Sequence, residues 1–302
     1  MDTCRFSIII CTYNREKYIL SLLESIASQD FPRQSYEIVL VNNNSTDRTE
    51  ELCTQFCQRH PDIHFHYCVE SQQGLSHARN RGIAESQGEY LIYVDDDATV
   101  FPDYLQAYSQ FFQTCPDILA AGGPIIPVYE ENPPAWLTHF TKELLTGYLY
   151  RGDKTGFFTR GKYPGGGNAC YRKIFFKQFG LFNVALGRKG NNLIGAEEKD
   201  LFSRFLAAGN KIGYVPKAGI YHCIPPEKLT REHLIRLSYS IGVSERIRTR
   251  SVSLPAYFKR LLAETIKWGA TILLFLGYSI RLQPDKGVKL LEFRYNVTRG
   301  LL

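Results

Sequence analysis

Residues 90–97 constrain the fold of this chain more than any other stretch. Five apolar residues with high β-propensity (90–94) run directly into Asp95, Asp96 and Asp97. Such a run predicts a buried strand with a dense negative charge at its C-terminal end. In open α/β sheets, ligands bind in the crevice beyond the carboxyl ends of the strands. Three adjacent carboxylates need a cation, hydrogen-bond donors or full solvation, and Mg²⁺ or Mn²⁺ would suit them. The alternative is an acidic loop that only caps the next helix.

Apolar runs alternate with segments of helical spacing through the first half of the chain. The predicted strands are 6–10, 36–41 and 64–69, and the predicted helices are 16–29, 47–59, 75–86 and 102–112. With the strand at 90–94, this βαβαβαβ order predicts an α/β fold with a doubly wound, mainly parallel sheet flanked by helices. The first strand is followed by neither Gly-x-Gly-x-x-Gly nor a Walker A loop, which disfavours a dinucleotide-binding site.

The second half carries two further features that suit a ligand. Residues 123–165 have weak periodicity and many aromatic side chains, which is typical of a lid or binding loop. A helix start near residue 197 is loaded with acids. The simplest explanation of those acids is that they complement the helix macrodipole.

Cysteine usage and the N-terminal sequence indicate a cytoplasmic protein. The eight cysteines are scattered, and Cys53 and Cys57 have no second pair with which to bind zinc. We therefore expect reduced thiols rather than disulfides or a zinc site. The chain enters a strand-like run at residue 6, so we expect no signal peptide.

The C-terminal segment is basic and partly apolar. Residues 246–302 contain eleven Lys or Arg and three Asp or Glu, whereas the whole chain has a net charge of +6. Residues 1–245 therefore carry a net charge of −2 (+6 minus +8). This predicts an anionic surface as the partner of the C-terminal segment alone, and no nucleic acid as a partner. The uncharged run inside 255–280 is shorter than the ~20 residues of a spanning helix, so a helix lying in the membrane interface is favoured. A core helix or the contact of a homodimer is the alternative.

The residues at the predicted strand ends together resemble a known family. Residues 7–15 and 41–47 are similar to the first two motifs of family 2 glycosyltransferases of the bacterial polysaccharide-biosynthesis type. Residues 74–83 and 88–102 follow in the family's order, and Asp95-Asp96-Asp97 resembles its Asp-x-Asp motif. Residues 195–204 resemble the helix start that supplies the family's base. The five motifs in order identify residues 5–225 as a member.

The resemblance implies a GT-A-like fold with a C-terminal helical extension. We expect a glycosyltransferase domain over 1–225, with a nucleotide-binding half at 1–121 and an acceptor-binding half at 122–225. Residues 226–302 would form the basic, amphipathic helical extension.

The resemblance also implies a nucleoside-diphosphate sugar as the donor, with a UDP-sugar expected. The nucleotide-sugar-binding residues would be Thr12, Tyr13, Asn43, Arg79, Asp95 and Asp96. Tyr13 would stack on the base, and Asn43 would hydrogen-bond to it. Because Asn42 and Asn43 stand where the family often has carboxylates, base recognition would differ in detail. A core aromatic for Tyr13 and a surface salt bridge for Arg79 are the alternatives.

A divalent metal, Mn²⁺ or Mg²⁺, is the implied cofactor. Asp97 would be its ligand, and His222 is either a second ligand or a structural histidine in an apolar stretch. Gly166, Gly167 and Asn168 would line the acceptor or donor-sugar pocket, or form a plain turn.

Glu198 is the expected catalytic base, although the family more usually has Asp at this position. Glu197 and Asp200 are the alternative bases. A carboxylate that takes the proton of the acceptor hydroxyl typically contributes ~10²–10⁴-fold to the rate. A single base with in-line attack implies inversion at the anomeric carbon.

The expected function is therefore that of an inverting, metal-dependent hexosyltransferase. It would transfer a sugar to a hydroxyl of a glycan or lipid-linked acceptor in cell-surface polysaccharide synthesis, at the inner face of the cell membrane. One alternative is a catalytically inactive nucleotide-sugar-binding or scaffold protein, against which the retained Asp97 and Glu198 argue. The other is a sugar-phosphate nucleotidyltransferase, which usually has a Gly-rich, basic loop after the first strand.

Overall fold

The structure is a computed structural model that describes residues 5–159, 161–190 and 192–302. Residues 1–4, which precede the strand-like run, lie outside the described residues. The chain divides into two compact units. Of the described residues, the first unit contains those of 5–128, 148–182 and 201–223, and the second those of 129–147, 183–200 and 224–302. The predicted domain boundaries and functional halves stay predictions.

The strands alternate with helices in the first half of the chain, as the sequence predicts. The strands are β1 (Phe6–Thr12), β2 (Tyr36–Asn42), β3 (His64–Val69), β4 (Tyr90–Val94), β5 (Ala98–Val100), β6 (Ala120–Gly122), β7 (Ile125–Tyr129), β8 (Gly156–Phe157), β9 (Asn168–Arg172), β10 (Gly213–Tyr214) and β11 (Ile220–Ile224). Among the described residues, one eight-stranded sheet has the order β3-β2-β1-β4-β9-β6-β10-β8, and a small sheet has the order β5-β11-β7.

The large sheet is mainly parallel. Strand β1 pairs in parallel with both β2 and β4, and β2 pairs in parallel with β3. Strand β9 lies antiparallel between β4 and β6. The predicted fold class is confirmed, and the antiparallel strand in the middle of the sheet is a feature that the sequence analysis did not predict.

Helices flank this sheet and form the C-terminal extension. They are α1 (Ile19–Ala27), α2 (Thr49–Arg59), α3 (Leu75–Glu85), α4 (Tyr104–Thr114), α5 (His139–Thr146), α6 (Ile174–Phe179), α7 (Glu197–Ala207), α8 (Arg231–Val252), α9 (Leu254–Ile280) and α10 (Pro284–Leu301). Two short 3₁₀ turns lie at Arg33–Ser35 and Pro226–Leu229.

Both faces of the sheet are buried, because side chains on a strand point alternately to either side. Ile8 and Ile10 of β1 belong to a cluster that includes residues of α1 and α4. Ile9 belongs to a second cluster that includes residues of α3 and α7. Each fully buried isoleucine contributes roughly 1.5–3 kcal/mol. This two-sided burial explains why the strands read as continuous apolar runs.

The second unit contains a buried group of charged side chains centred on Glu245 of α8. Its carboxylate lies 2.7 Å from Lys199 Nζ, 3.1 Å from an Arg248 nitrogen and 3.1 Å from Arg260 Nε. Burial raises the pKa of Glu245, but hydrogen bonds from Arg248 and Lys199 and the charges of both residues outweigh it and lower the pKa to about 2. Glu245 thus holds helix α8 to helix α9 and to the start of α7.

Replacing Glu245 by Gln should destabilise this unit in a pH-dependent way. Because its pKa falls from 4.5 in the free side chain to about 2 in the fold, the carboxylate stabilises the fold above pH 4.5. That contribution is lost as the pH falls towards 2. We expect E245Q to lower the free energy of unfolding by about 3 kcal/mol at pH 7, and by little near pH 2, where a protonated Glu resembles Gln.

Urea denaturation followed by tryptophan fluorescence measures this effect, because both tryptophans of the chain, Trp136 and Trp268, belong to the second unit. Glu232→Gln, at an exposed position on the same helix, is the matched control. An E245Q deficit that stays the same from pH 7 to pH 2 would contradict the ion-pair explanation.

Candidate active site

The three carboxylates lie at the carboxyl end of the buried strand β4. Asp96 and Asp97 are buried, and Asp95 is half-buried. The next residues form strand β5 rather than a helix, so the acids do not cap a helix. Since β1 and β2 run parallel to β4, the residues that end them, including Thr12 and Asn42, lie at the same edge of the sheet.

Arg15, in the loop after β1, neutralises part of this charge. Its Nε lies 3.0 Å from Asp96 Oδ1, and its terminal nitrogen lies 3.6 Å from Asp97 Oδ2. Burial raises the pKa of Asp96 to about 6, with Arg15 opposing the shift and the charges of Asp97 and Asp95 adding to it. The sequence alone assigned no role to Arg15. A basic residue three positions after the first strand, on the same sheet edge as three carboxylates, was the available signal.

Asp95, Asp97 and His222 form a group that could hold a metal ion. One ligand atom of each lies within 4.8 Å of those of the other two. His222 reaches the group because β11 pairs with β5, which places it opposite Ala98. Its Nε2 lies 3.1 Å from Asp97 Oδ1.

This donor set fits a divalent cation such as Mn²⁺. Carboxylate oxygens suit Mg²⁺ and Mn²⁺, and a histidine nitrogen is tolerated better by Mn²⁺ and the later metals. Asp97 and His222 are both buried, and Asp95–Asp97 place three carboxylates side by side, with Arg15 paired to Asp96 and Asp97. A bound cation would offset the remaining negative charge, which is costly to bury.

Gly167 leaves room for the Asp95 side chain. A Cβ atom on Gly167 would lie 2.0 Å from Asp95 Oδ2, closer than any real contact. The backbone N–H of Asp95 donates to the carbonyl of Gly167 at 3.2 Å. Gly166 and Gly167 form the turn that leads into β9. The absence of a side chain at Gly167 therefore sets where the Asp95 carboxylate can lie.

Asn168 is fully buried and makes all its hydrogen bonds inside the protein. Its Oδ1 accepts from the hydroxyls of Tyr104 (2.8 Å) and Tyr108 (3.1 Å). Its Nδ2 donates to the carbonyls of Pro124 (3.0 Å) and Ala218 (2.9 Å). With both amide hydrogens used, this side chain positions the start of β9 instead of offering a donor to a ligand.

Asn43 is similarly engaged. Its Nδ2 donates to the carbonyls of Glu70 and Gln72, and its Oδ1 accepts from the N–H of Gly74 at 2.7 Å. Its amide edge therefore fixes the segment before α3. Tyr13, by contrast, follows β1 with 40% of its surface exposed, so its ring is accessible for stacking.

Arg79 on α3 is buried between aromatic rings. Its guanidinium carbon lies 5.7 Å from the centroid of the Tyr93 ring and 5.3 Å from that of Phe182. The Tyr93 hydroxyl donates to the Arg79 carbonyl at 2.9 Å. Arg79 is thus not a surface residue, which removes the alternative of a surface salt bridge.

The acids at residues 197–200 open α7 and belong to the second unit. Glu197 is buried, whereas Glu198 and Asp200 are half-buried. Ala196, which precedes them, has a φ of +73°, a conformation that costs a non-glycine residue about 1 kcal/mol or more. Residues held in such sparsely populated conformations cluster at active sites and ligand clamps.

A comparison with protein families decides the assignment. The sequence profile described as glycosyl transferase family 2 matches residues 7–180, more than half of the chain. This chain belongs to glycosyl transferase family 2. The matched segment of this family member includes Arg15, Asp95–Asp97 and Gly167, and ends before α7 and His222.

Two relatives illustrate what the chain is similar to. The glucosyl-dolichyl phosphate glucuronosyltransferase of Haloferax volcanii is 25% identical over 251 residues, which cover 80% of this chain and 77% of that protein. The poly(ribitol-phosphate) β-N-acetylglucosaminyltransferase TarS of Staphylococcus aureus is 33% identical over 107 residues. That match covers 35% of this chain and only 18% of TarS.

Solved structures confirm the fold of this glycosyltransferase. A mannosyltransferase from Pyrobaculum calidifontis, in complex with GDP-mannose and Mn²⁺, matches with a TM-score of 0.62 at 20% identity, covering 96% of this chain and 86% of that one. Residues 1–349 of S. aureus TarS, in complex with UDP, match with a TM-score of 0.55 at 19% identity, covering 97% and 89%. At these identities the likeness concerns the fold.

Replacing Gly167 by Ala should weaken divalent-metal binding without unfolding the protein. The new methyl group would displace the Asp95 side chain, which can rotate away, so one ligand of the group is lost. We expect Mn²⁺ affinity to fall by about 10-fold or more, since mutating a residue that positions a metal ligand typically lowers metal affinity 10–100-fold. Titration calorimetry with Mn²⁺ alone measures it.

Gly156→Ala is the matched control, because a Cβ atom there would meet nothing within 4 Å. Equal Mn²⁺ affinity for G167A and G156A would show that Asp95 does not bind the ion.

Proposed function

We propose that this protein is an inverting glycosyltransferase that transfers a sugar from a nucleoside-diphosphate sugar, with UDP as the preferred nucleotide, to a hydroxyl group. The observation that carries the proposal is the group of Asp95, Asp97 and His222 at the carboxyl edge of the sheet in a family 2 chain. Such a group is suited to a metal-bound diphosphate.

The donor would be held by residues at the ends of β1, β2 and β4. Tyr13 would stack on the nucleobase, and Thr12 would lie beside it. Asn43 would act by fixing the segment of residues 70–74, because its amide is already engaged. Asp96, paired with Arg15, is placed to contact the ribose, as the family resemblance implies.

Asp97, with Asp95 and His222, would hold a divalent cation, Mn²⁺ or Mg²⁺. When bound, such a cation stabilises the charge that develops on the leaving nucleoside diphosphate. Both UDP and GDP-mannose occur in the similar structures, and one of these also contains Mn²⁺. The metal and the nucleotide are therefore parts of the proposal that experiment must decide.

Glu198 would act as the general base. As the acceptor oxygen attacks the anomeric carbon, its proton passes to the Glu198 carboxylate, and the bond from that carbon to the diphosphate oxygen breaks. A single displacement inverts the anomeric configuration. Glu198 is half-exposed at the start of α7, and Glu197 and Asp200 are the alternative bases.

The acceptor would be a glycan or a lipid-linked glycan of cell-surface polysaccharide synthesis. A relative whose match covers 80% of this chain is named for action on glucosyl-dolichyl phosphate, a lipid-linked sugar. The reaction would take place at the inner face of the cell membrane, where a lipid-linked acceptor would be held.

A release assay tests the proposal. The protein is incubated with Mn²⁺ and a panel of UDP- and GDP-sugars, with a membrane extract as the source of acceptor, and free nucleoside diphosphate is measured. We expect one donor to be turned over, and Asp97→Ala to lower the rate at least about 100-fold. Asp117→Ala, at an exposed site, is the control.

Glu198→Gln separates the base from the donor site. We expect it to lower the rate ~10²–10⁴-fold while the affinity for the donor stays unchanged. Donor binding without turnover by the unaltered protein would instead support a binding or scaffold protein. Loss of donor binding in E198Q would contradict the assignment of the base.

A further inference from the structure

Helix α9 of the C-terminal extension buries polar side chains and exposes apolar ones, the reverse of the usual arrangement. A surface helix normally buries its apolar side and exposes its charged side. In α9 the buried residues are Tyr257, Glu264 and Thr271, whereas large apolar side chains face outwards. These exposed side chains, between 46% and 83% accessible, are Leu254, Phe258, Leu262, Ile266, Ile272, Leu273, Leu276 and Ile280.

The exposed apolar side chains form one continuous stripe. An α-helix turns by 100° per residue, so side chains four residues apart lie on nearly the same side. By this spacing one side of α9 carries residues 254, 258, 262 and 266 and, further along, residues 273, 276 and 280. The helix has 27 residues, which correspond to about 40 Å. Eight large apolar side chains exposed along one helix differ from the singly scattered ones that are normal on a soluble protein, and such clustering marks an interaction surface.

The buried side of α9 is held by ion pairs. Glu264 lies 2.6 Å from Arg260 and 2.8 Å from Arg294 of α10. The Trp268 indole N–H donates to Thr298 of α10 at 3.0 Å. These contacts fix the rotation of α9 within its unit, so the apolar side cannot turn inwards without breaking them. The exposed stripe is therefore a fixed feature of the folded unit.

The charge around the stripe favours an anionic lipid surface over a second copy of the chain. Glu264 is the only acidic residue in α9, and it is buried. The exposed charges on α9 and directly after it, Lys259, Lys267 and Arg281, are positive. Two such faces would repel each other in a symmetric dimer, whereas anionic headgroups attract them.

The geometry favours a helix that lies in the interface over one that crosses the membrane. Among the described residues, α9 is the one helix that is long and apolar enough to span. Its uncharged run, 268–280, is nevertheless shorter than the ~20 residues that a span needs. In addition, α9 packs against the charged helices α8 and α10 through Arg260 and Glu264.

We propose that the exposed apolar stripe of α9 docks the protein on an anionic lipid bilayer, with the helix parallel to the membrane plane. Aliphatic and aromatic side chains would enter the boundary between headgroups and acyl chains, and the flanking Lys and Arg would meet the phosphates. This inference does not depend on the proposed sugar transfer, because lipid binding is measured without donor or acceptor.

Co-sedimentation of the full chain with vesicles tests the proposal. One set contains phosphatidylcholine alone, and the other also contains phosphatidylglycerol. We expect the protein to bind the anionic vesicles at least 10-fold more tightly, and the difference to shrink at high salt. We expect Leu262→Ser/Ile266→Ser to lower binding to the anionic vesicles at least 10-fold. Leu181→Ser/Val184→Ser removes two other exposed apolar side chains and should leave binding unchanged.

The same variants distinguish binding of this surface to lipid from its binding to a second copy of the chain. Unaltered tryptophan fluorescence and urea midpoint would show that L262S/I266S still folds. Failure of the unaltered chain to bind either vesicle would overturn the proposal, as would equal loss in both double variants. A lipid-free dimer that L262S/I266S converts to a monomer would assign the stripe to self-association instead. Protection of one end of α9 but not the other from protease added outside sealed vesicles would contradict the in-plane orientation.

Discussion

The burial of adjacent carboxylates at the end of β4 is the constraint on which the candidate site depends. Removing an ionised carboxylate from water costs several kcal/mol even in a relaxed protein, so each must meet a compensating group. The chain supplies Arg15 from the loop after β1 and His222 from β11. Neither is near Asp97 in sequence. The parallel pairing of β1 with β4 and the antiparallel pairing of β11 with β5 are what bring them there.

The antiparallel strand β9 connects the fold to the site through two neighbouring residues. Asn168 ties the start of β9 to α4 and to the carbonyls of Pro124 and Ala218. Gly167, directly before it, provides the space for Asp95. The four hydrogen bonds of the Asn168 side chain hold the backbone of Gly167 and Asn168 in place. The position of Asp95 therefore depends on Asn168, although the Asn168 amide is already engaged inside the protein. Asn168 thus both stabilises the sheet and helps to set the geometry of the site.

The strands and flanking helices of the first half were predictable from the sequence. A strand that is buried on both faces requires a continuous apolar run, and a helix packed on the sheet requires apolar residues at helical spacing. The acids at β4 and the acid-rich start of α7 could also be recognised locally. The antiparallel placement of β9 could not, since a short apolar strand carries no signal of its neighbours or direction. Arg15 was missed for the same reason: its partners lie about eighty residues away. The engaged amides of Asn43 and Asn168 likewise depend on distant backbone carbonyls, so the sequence suggested ligand contacts where the structure has internal bonds.

Within the second unit, ion pairs connect helix α9 to the residue next to the proposed base. Arg260 of α9 contacts Glu245 of α8, and Glu245 contacts Lys199, the residue after Glu198. Ion pairs buried at this depth tolerate little change in separation, because losing one partner leaves an uncompensated charge. A displacement of α9 would therefore shift the first turn of α7 through Glu245 and Lys199. The charges that keep the polar side of α9 inside the unit are the same charges that fix the backbone next to Glu198.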